Sequence, residues 1–122
     1  MKRETLFKYA LEHYQAEPEY LWGNLPGYAV LRHHDGKKWF GIVMNVPASK
    51  LGLEGEEEID VLAVKIRPEH IGSLRQKKGI LPAYHMNKEH WISVVLSGPL
   101  SSQEIYDLLS ESHGLTAGGR KR

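Results

Sequence analysis

The 122 residues predict a two-layer α+β domain, an antiparallel sheet with helices packed on it, in the order α-β3-α-β2-α. Three observations predict it. Helical 3.6-residue periodicity appears at both ends, five apolar runs of strand length lie between, and Asp35-Gly36 marks a hairpin between the first two runs.

The first helix is expected from Thr5 to about Gln15, where Phe7, Ala10, Leu11 and Tyr14 fall at i, i+3, i+4 and i+7. "AEPEYLWGNLPGY" breaks this pattern, and Pro26-Gly27 suits a turn. "YAVLRHHDGKKWFGIVMNV" reads as two strands around Asp35-Gly36, because a type I′ turn needs positive φ at both central residues. Pro47 to Glu58 is a polar, acidic connection that reads as a solvated loop. "IDVLAVKI" is the third strand. Pro68 suits the first turn of a short helix that stops at Gly79. "ILPAYHM" and "HWISVVL" supply the last two strands. Ser101 and Glu104 have capping-box spacing and open a final helix with Ile105, Leu108 and Leu109 inward. Residues 1–114 therefore form one domain, and 115–122 are expected to be a flexible basic tail.

Composition is that of a globular domain, 41% hydrophobic and 25% charged. The chain has no cysteine, which excludes disulfides, thiolate metal sites and thiol nucleophiles and fits a cytoplasmic location. No apolar run approaches the ~20 residues of a membrane span. Net charge is +1, but Arg120, Lys121 and Arg122 carry +3 of it, so the rest of the chain stands at −2. Nucleic-acid binding, if present, must come from local patches.

In "AYHMNKEHWISVVL" a turn at Asn87-Lys88 would place His85 opposite His90 and Tyr84 opposite Trp91. Two histidines alone do not make a zinc site, since catalytic zinc takes at least three protein ligands. Glu89 points to the other face, and neighbours His33 and His34 cannot face one way in a strand. Ser93, His85 or His90, and Asp60 could be named as a triad, but no nucleophile elbow accompanies them. No phosphate loop or dinucleotide fingerprint occurs. The expectation is a protein without enzyme activity, metal or cofactor.

Basic residues gather at the hairpins: Arg32, Lys37 and Lys38 around the first, Lys88 on the second. Arg75, Lys77 and Lys78 end the middle helix. Strand alternation puts Trp39 and Trp91 on a second face, opposite Phe40, Ile42 and Met44 and opposite Ile92, Val94 and Leu96. The protein's own "EYLWGNLPGY" is expected to cover that face.

"GYAVLRHHDGKKWFGIVMNVPASKLGL", "IGSLRQKKGILPAYHMNKEHWISVVLSG" and "IYDLLSESHGL" together resemble the MmcQ/YjbR-like family of small bacterial proteins. The most specific element is "HMNKEHW"; Ser112-His113 departs from the family's common Ser-Tyr. The resemblance implies a secretion-chaperone-like domain that binds DNA through two β-hairpin wings. It places Arg32, Lys37 and Lys38 on one wing and Asn87 and Lys88 on the other. Weak, largely non-specific contact with DNA phosphates is therefore the leading expectation. The rival is a protein-interaction or small-ligand module using an aromatic face around Trp39, Tyr84 and Trp91.

Overall fold

A computed structural model describes residues 1–35 and 38–117. The elements are α1 (Arg3–Tyr14), β1 (Ala29–Arg32), β2 (Trp39–Pro47), a 3-10 turn (Ala48–Leu51), β3 (Glu58–Lys65), α2 (Pro68–Leu74), β4 (Ile80–Pro82), β5 (Trp91–Val95) and α3 (Ser102–Leu115). All strand pairs are antiparallel, in the order β1-β2-β3-β5-β4. This is the expected α+β architecture with the expected element order.

One sheet face carries the helices. Leu6 and Ala10 of α1, Ile71 of α2 and Ile105, Leu108 and Leu109 of α3 pack on Leu31, Phe40, Val43, Leu62, Val64, Ile92 and Val94. Each leucine, isoleucine, valine or phenylalanine side chain so taken out of water contributes about 1.5–3 kcal/mol. Of the expected stripe on α1, Ala10 is fully buried and Phe7 and Tyr14 pack against the core, joined by fully buried Leu6, whereas Leu11 is 46% exposed. Pro68 does occupy the first turn of α2, and Ser101 and Glu104 do form a reciprocal capping box. α3 runs to Leu115 and Thr116 beyond it is buried, so the chain stays packed past the expected start of the tail. Arg120, Lys121 and Arg122 lie outside the described residues.

Alternation in β2 is broken by a bulge. Leu31 pairs with Gly41 and Arg32 with Trp39, which leaves Phe40 as an extra residue. Phe40 therefore faces the helices, while Ile42, Met44 and Val46 share the second face with Trp39. This corrects the expectation that Trp39 lies opposite Ile42 and Met44. Ser112 of α3 spans the break: its hydroxyl accepts the Lys65 N–H (2.8 Å) and donates to the Phe40 carbonyl (2.7 Å).

Both sheet edges are guarded. Glu19 pairs with Val30 through two backbone hydrogen bonds of 2.9 Å, covering β1. On β4, the Gly79 carbonyl accepts Val95 N–H, so by alternation Leu81 points at β5 while Ile80 and Pro82 point outward. The Ile80 N–H is bonded to the Lys77 carbonyl and Pro82 has none. The edge offers no free donor for another strand.

Candidate nucleic-acid interface and second sheet face

Antiparallel pairing sends the β1–β2 and β4–β5 connections out of the same end of the sheet. β3 also ends there, between them, and Arg67 follows it. At the first connection, His33 N–H donates to the Lys38 carbonyl (2.8 Å), and Asp35-Gly36 falls inside the loop. Gly36 and Lys37 lie outside the described residues. Lys38 is exposed. Arg32 is not available in the expected way. Its Nε and Nη2 donate to the two Glu19 carboxylate oxygens at 3.2 and 3.0 Å, which neutralises its charge locally.

The second connection is not the ribbon expected. β4 pairs as Leu81↔Ser93 and Pro82↔Ile92, a register one residue away from Tyr84 opposite Trp91 and His85 opposite His90. Pairing stops at Pro82, and Tyr84 N–H donates instead to the Ser93 hydroxyl (3.0 Å). His85 adopts the left-handed conformation at φ 62°, and the loop folds so that Tyr84 and Met86 pack on the second face. The chain then turns tightly: the Asn87 carbonyl accepts from His90 and Trp91 N–H, and its Oδ1 accepts Glu89 N–H (2.7 Å). Asn87 and Lys88 are exposed on this turn.

Among the described residues no group of three or more histidine or acidic side chains is arranged to hold a metal. Ser93 is fully buried with its hydroxyl taken by Tyr84, and Asp60 holds Arg3 through both oxygens (2.9 and 2.7 Å). They do not form the triad that could be named from sequence.

The second face carries Val30, Ile42, Met44, Val46, Val61, Ala63 and Val95. Three segments converge on it. Trp22 and Tyr28 come from the "EYLWGNLPGY" segment, as expected, with Trp22 edge-on to Trp39 at 5.8 Å. Leu51 comes from the 3-10 turn, and Tyr84 and Met86 from the β4–β5 loop. Trp39 and Trp91 are only partly buried beneath them. Two open cavities remain at the seams, of about 420 Å³ and about 350 Å³, and both are lined by Lys50 and Tyr84. Lys50 has no sequence signature, since it lies in a stretch that reads as solvated loop.

A histidine cluster also escaped the sequence reading. At the end where α1 and α3 finish, His113 stacks on Tyr14 (4.2 Å) and lies 4.2 Å from the His33 ring. Thr116 Oγ1 donates its proton to the Ser112 carbonyl (2.7 Å), so at 2.8 Å it accepts from His33 Nε2–H. Burial pushes both imidazoles below their ordinary pKa; for His113 the neighbouring His33 adds to the effect.

These features define a class: a two-layer α+β domain with two loop connections at one sheet end and an aromatic, loop-covered second face. The chain belongs to the YjbR family, whose model matches residues 11–115. It is 49% identical to the YyaQ protein of Bacillus subtilis (strain 168) over 116 residues, 95% of this chain and 98% of that protein. A crystal structure of a Pseudomonas syringae protein superposes with a TM-score of 0.92 at 48% identity, covering 95% of this chain and 99% of that one. The Deinococcus radiodurans protein DR2400 shares the fold alone, at 21% identity and a TM-score of 0.73, covering 98% and 83%. No helix among the described residues is long and apolar enough to cross a membrane.

Proposed function

We propose that this protein contacts the phosphates of duplex DNA through the end of its sheet, with little reading of base sequence. The supporting observation is the placement of the two connections at one end. They are three strand spacings apart, about 14 Å, close to the ~12 Å width of the major groove. Lys38 stands at one connection, Lys88 at the other, and Arg67 follows the strand between them. All three are exposed, and none has an ion pair among the described residues. The Asn87 amide nitrogen remains a donor beside Lys88. Arg32 leaves the contact set because Glu19 holds it.

The test is a salt titration of duplex binding, on a chain ending at Gly119 and carrying Lys37→Gln, so that neither the terminal basic residues nor Lys37 contributes. Three contacts give a slope of log K against log salt of about −2.7. Raising salt from about 50 to about 200 mM then weakens binding roughly 40-fold. Replacing Lys38 and Lys88 together by Gln should flatten the slope by about two units on every sequence alike. Absence of salt-dependent binding to any duplex would overturn the reading.

A further inference from the structure

The geometry points to a binding site for a small planar aromatic carboxylate, in the seam between the 3-10 turn and the β4–β5 loop. The cavity there, about 350 Å³, lies at the small end of the range for ligand sites, roughly 300–1,000 Å³. That volume suits one or two fused rings. Its apolar walls are Leu51 and Pro82, and one side is built by the Tyr84 ring with His85 tilted over it, centroids 4.0 Å apart. His85 holds that position in a left-handed backbone conformation, at φ 62°, that is strained for a non-glycine residue.

Charge selects the ligand. Lys50 and Lys88 both line the cavity, neither has an ion pair among the described residues, and no carboxylate is among the lining residues. Two lysines on solvent-facing loops would ordinarily be plain solvated charges. Here they flank one carboxylate-free apolar cleft, in a chain whose remainder, apart from its last three residues, is acidic. The adjoining cavity shares Lys50 and Tyr84 but includes Glu58 in its wall, so an anion is directed to this seam rather than that one. Lysines are point charges without the planar fork of arginine, which suits a single carboxylate at the rim and a ring against Tyr84.

The experiment is an amide-resolved NMR titration of the whole protein with 2-naphthoate, using 2-naphthylmethanol, acetate and inorganic phosphate as comparisons. Saturable shifts are expected at Lys50 and Leu51 and across Tyr84 to Lys88, with 2-naphthoate alone. Lys50→Gln and Lys88→Gln should each weaken binding by up to about fivefold, the scale of an exposed ion pair. Tyr84→Leu, checked for a native spectrum, should weaken it further by removing the ring while keeping an apolar side chain. An equal response to 2-naphthylmethanol, the same shifts with inorganic phosphate, no saturation, or no effect of Lys50→Gln would each overturn the proposal. Lys88 is shared with the phosphate-contact reading but Lys50 is not. Lys50→Gln should leave the salt slope for duplex DNA unchanged, so the two proposals fail separately.

Discussion

One hydroxyl holds two strands in register at the bulge. Ser112 is fully buried, and its Oγ serves both the Lys65 N–H and the Phe40 carbonyl where direct pairing between β2 and β3 has lapsed. Ser112→Ala strands both backbone groups and should cost about 1–3 kcal/mol in denaturant unfolding. Ser110→Ala, exposed on the same helix, should change stability by no more than about 0.5 kcal/mol. The next residue links stability to pH. Burial holds His113 and His33 below the ordinary imidazole pKa. Glu12, His13 and Tyr14 of α1 and His34 and Asp35 of the first loop line the cavity beside them. The unfolded chain takes up protons near pH ~6.5 while the native pair stays neutral. This contribution is therefore complete above that pH and declines as pH falls toward the depressed native values. The urea midpoint should drop between pH 7.5 and 5.5, and His113→Tyr, the residue common at this position in the resembled family pattern, should drop less. An identical pH dependence in the two proteins would remove His113 from the account.

At the scale of elements, what was legible was local. The Ser101–Glu104 cap, Pro68 in the first turn of α2 and the Ile105–Leu108–Leu109 stripe each depend on residues within one or two turns, and each stands as read. The cap is strongly held: the Ser101 N–H first, then Lys77, keep the Glu104 carboxyl down at about 2. It contributes above the ordinary carboxylate range and is lost only as pH falls through that value. Ser101→Ala should lower stability by about 1 kcal/mol at neutral pH, measurable as a shifted urea midpoint with an unchanged slope. The misreadings have distant causes. The bulge at Phe40 is supported by a serine 72 residues away. The β4–β5 loop departs from a ribbon where the Tyr84 N–H turns to the Ser93 hydroxyl and His85 takes a left-handed conformation. Arg32 looked like a free wing cation until Glu19, 13 residues earlier, was folded against it. Periodicity carries no information about such pairs, so Lys38, Asn87 and Lys88 could be placed at the connections from sequence, but not the ion pair that neutralises Arg32.

Across the whole molecule, charge is separated along the strands. Glu54, Glu56, Glu57 and Glu58 follow the 3-10 turn at the end where β2 finishes and β3 begins, while Lys38 and Arg67 stand at the other; Lys88 lies between, on the loop folded back over the second face, where it shares a cavity wall with Lys50 of the 3-10 turn. β2 has nine residues, so the two ends are about 30 Å apart at ~3.3 Å per residue. That separation equals a Debye length at ~10 mM salt and is several Debye lengths at ~150 mM. Where duplex DNA meets the end carrying Lys38 and Arg67, the acidic loop acts on that contact only at long range and only in dilute salt. Replacing Glu54, Glu56 and Glu57 together by Gln should therefore speed association with duplex at ~10 mM salt and leave it unchanged at ~150 mM. Dissociation should be the same in both proteins, because the loop makes no contact in the complex. Stopped-flow mixing separates the two rates. A change in dissociation would put the acidic loop inside the interface and the proposed orientation would be wrong. An association rate indifferent to the substitution at low salt would mean that the molecule's charge asymmetry does not guide the encounter.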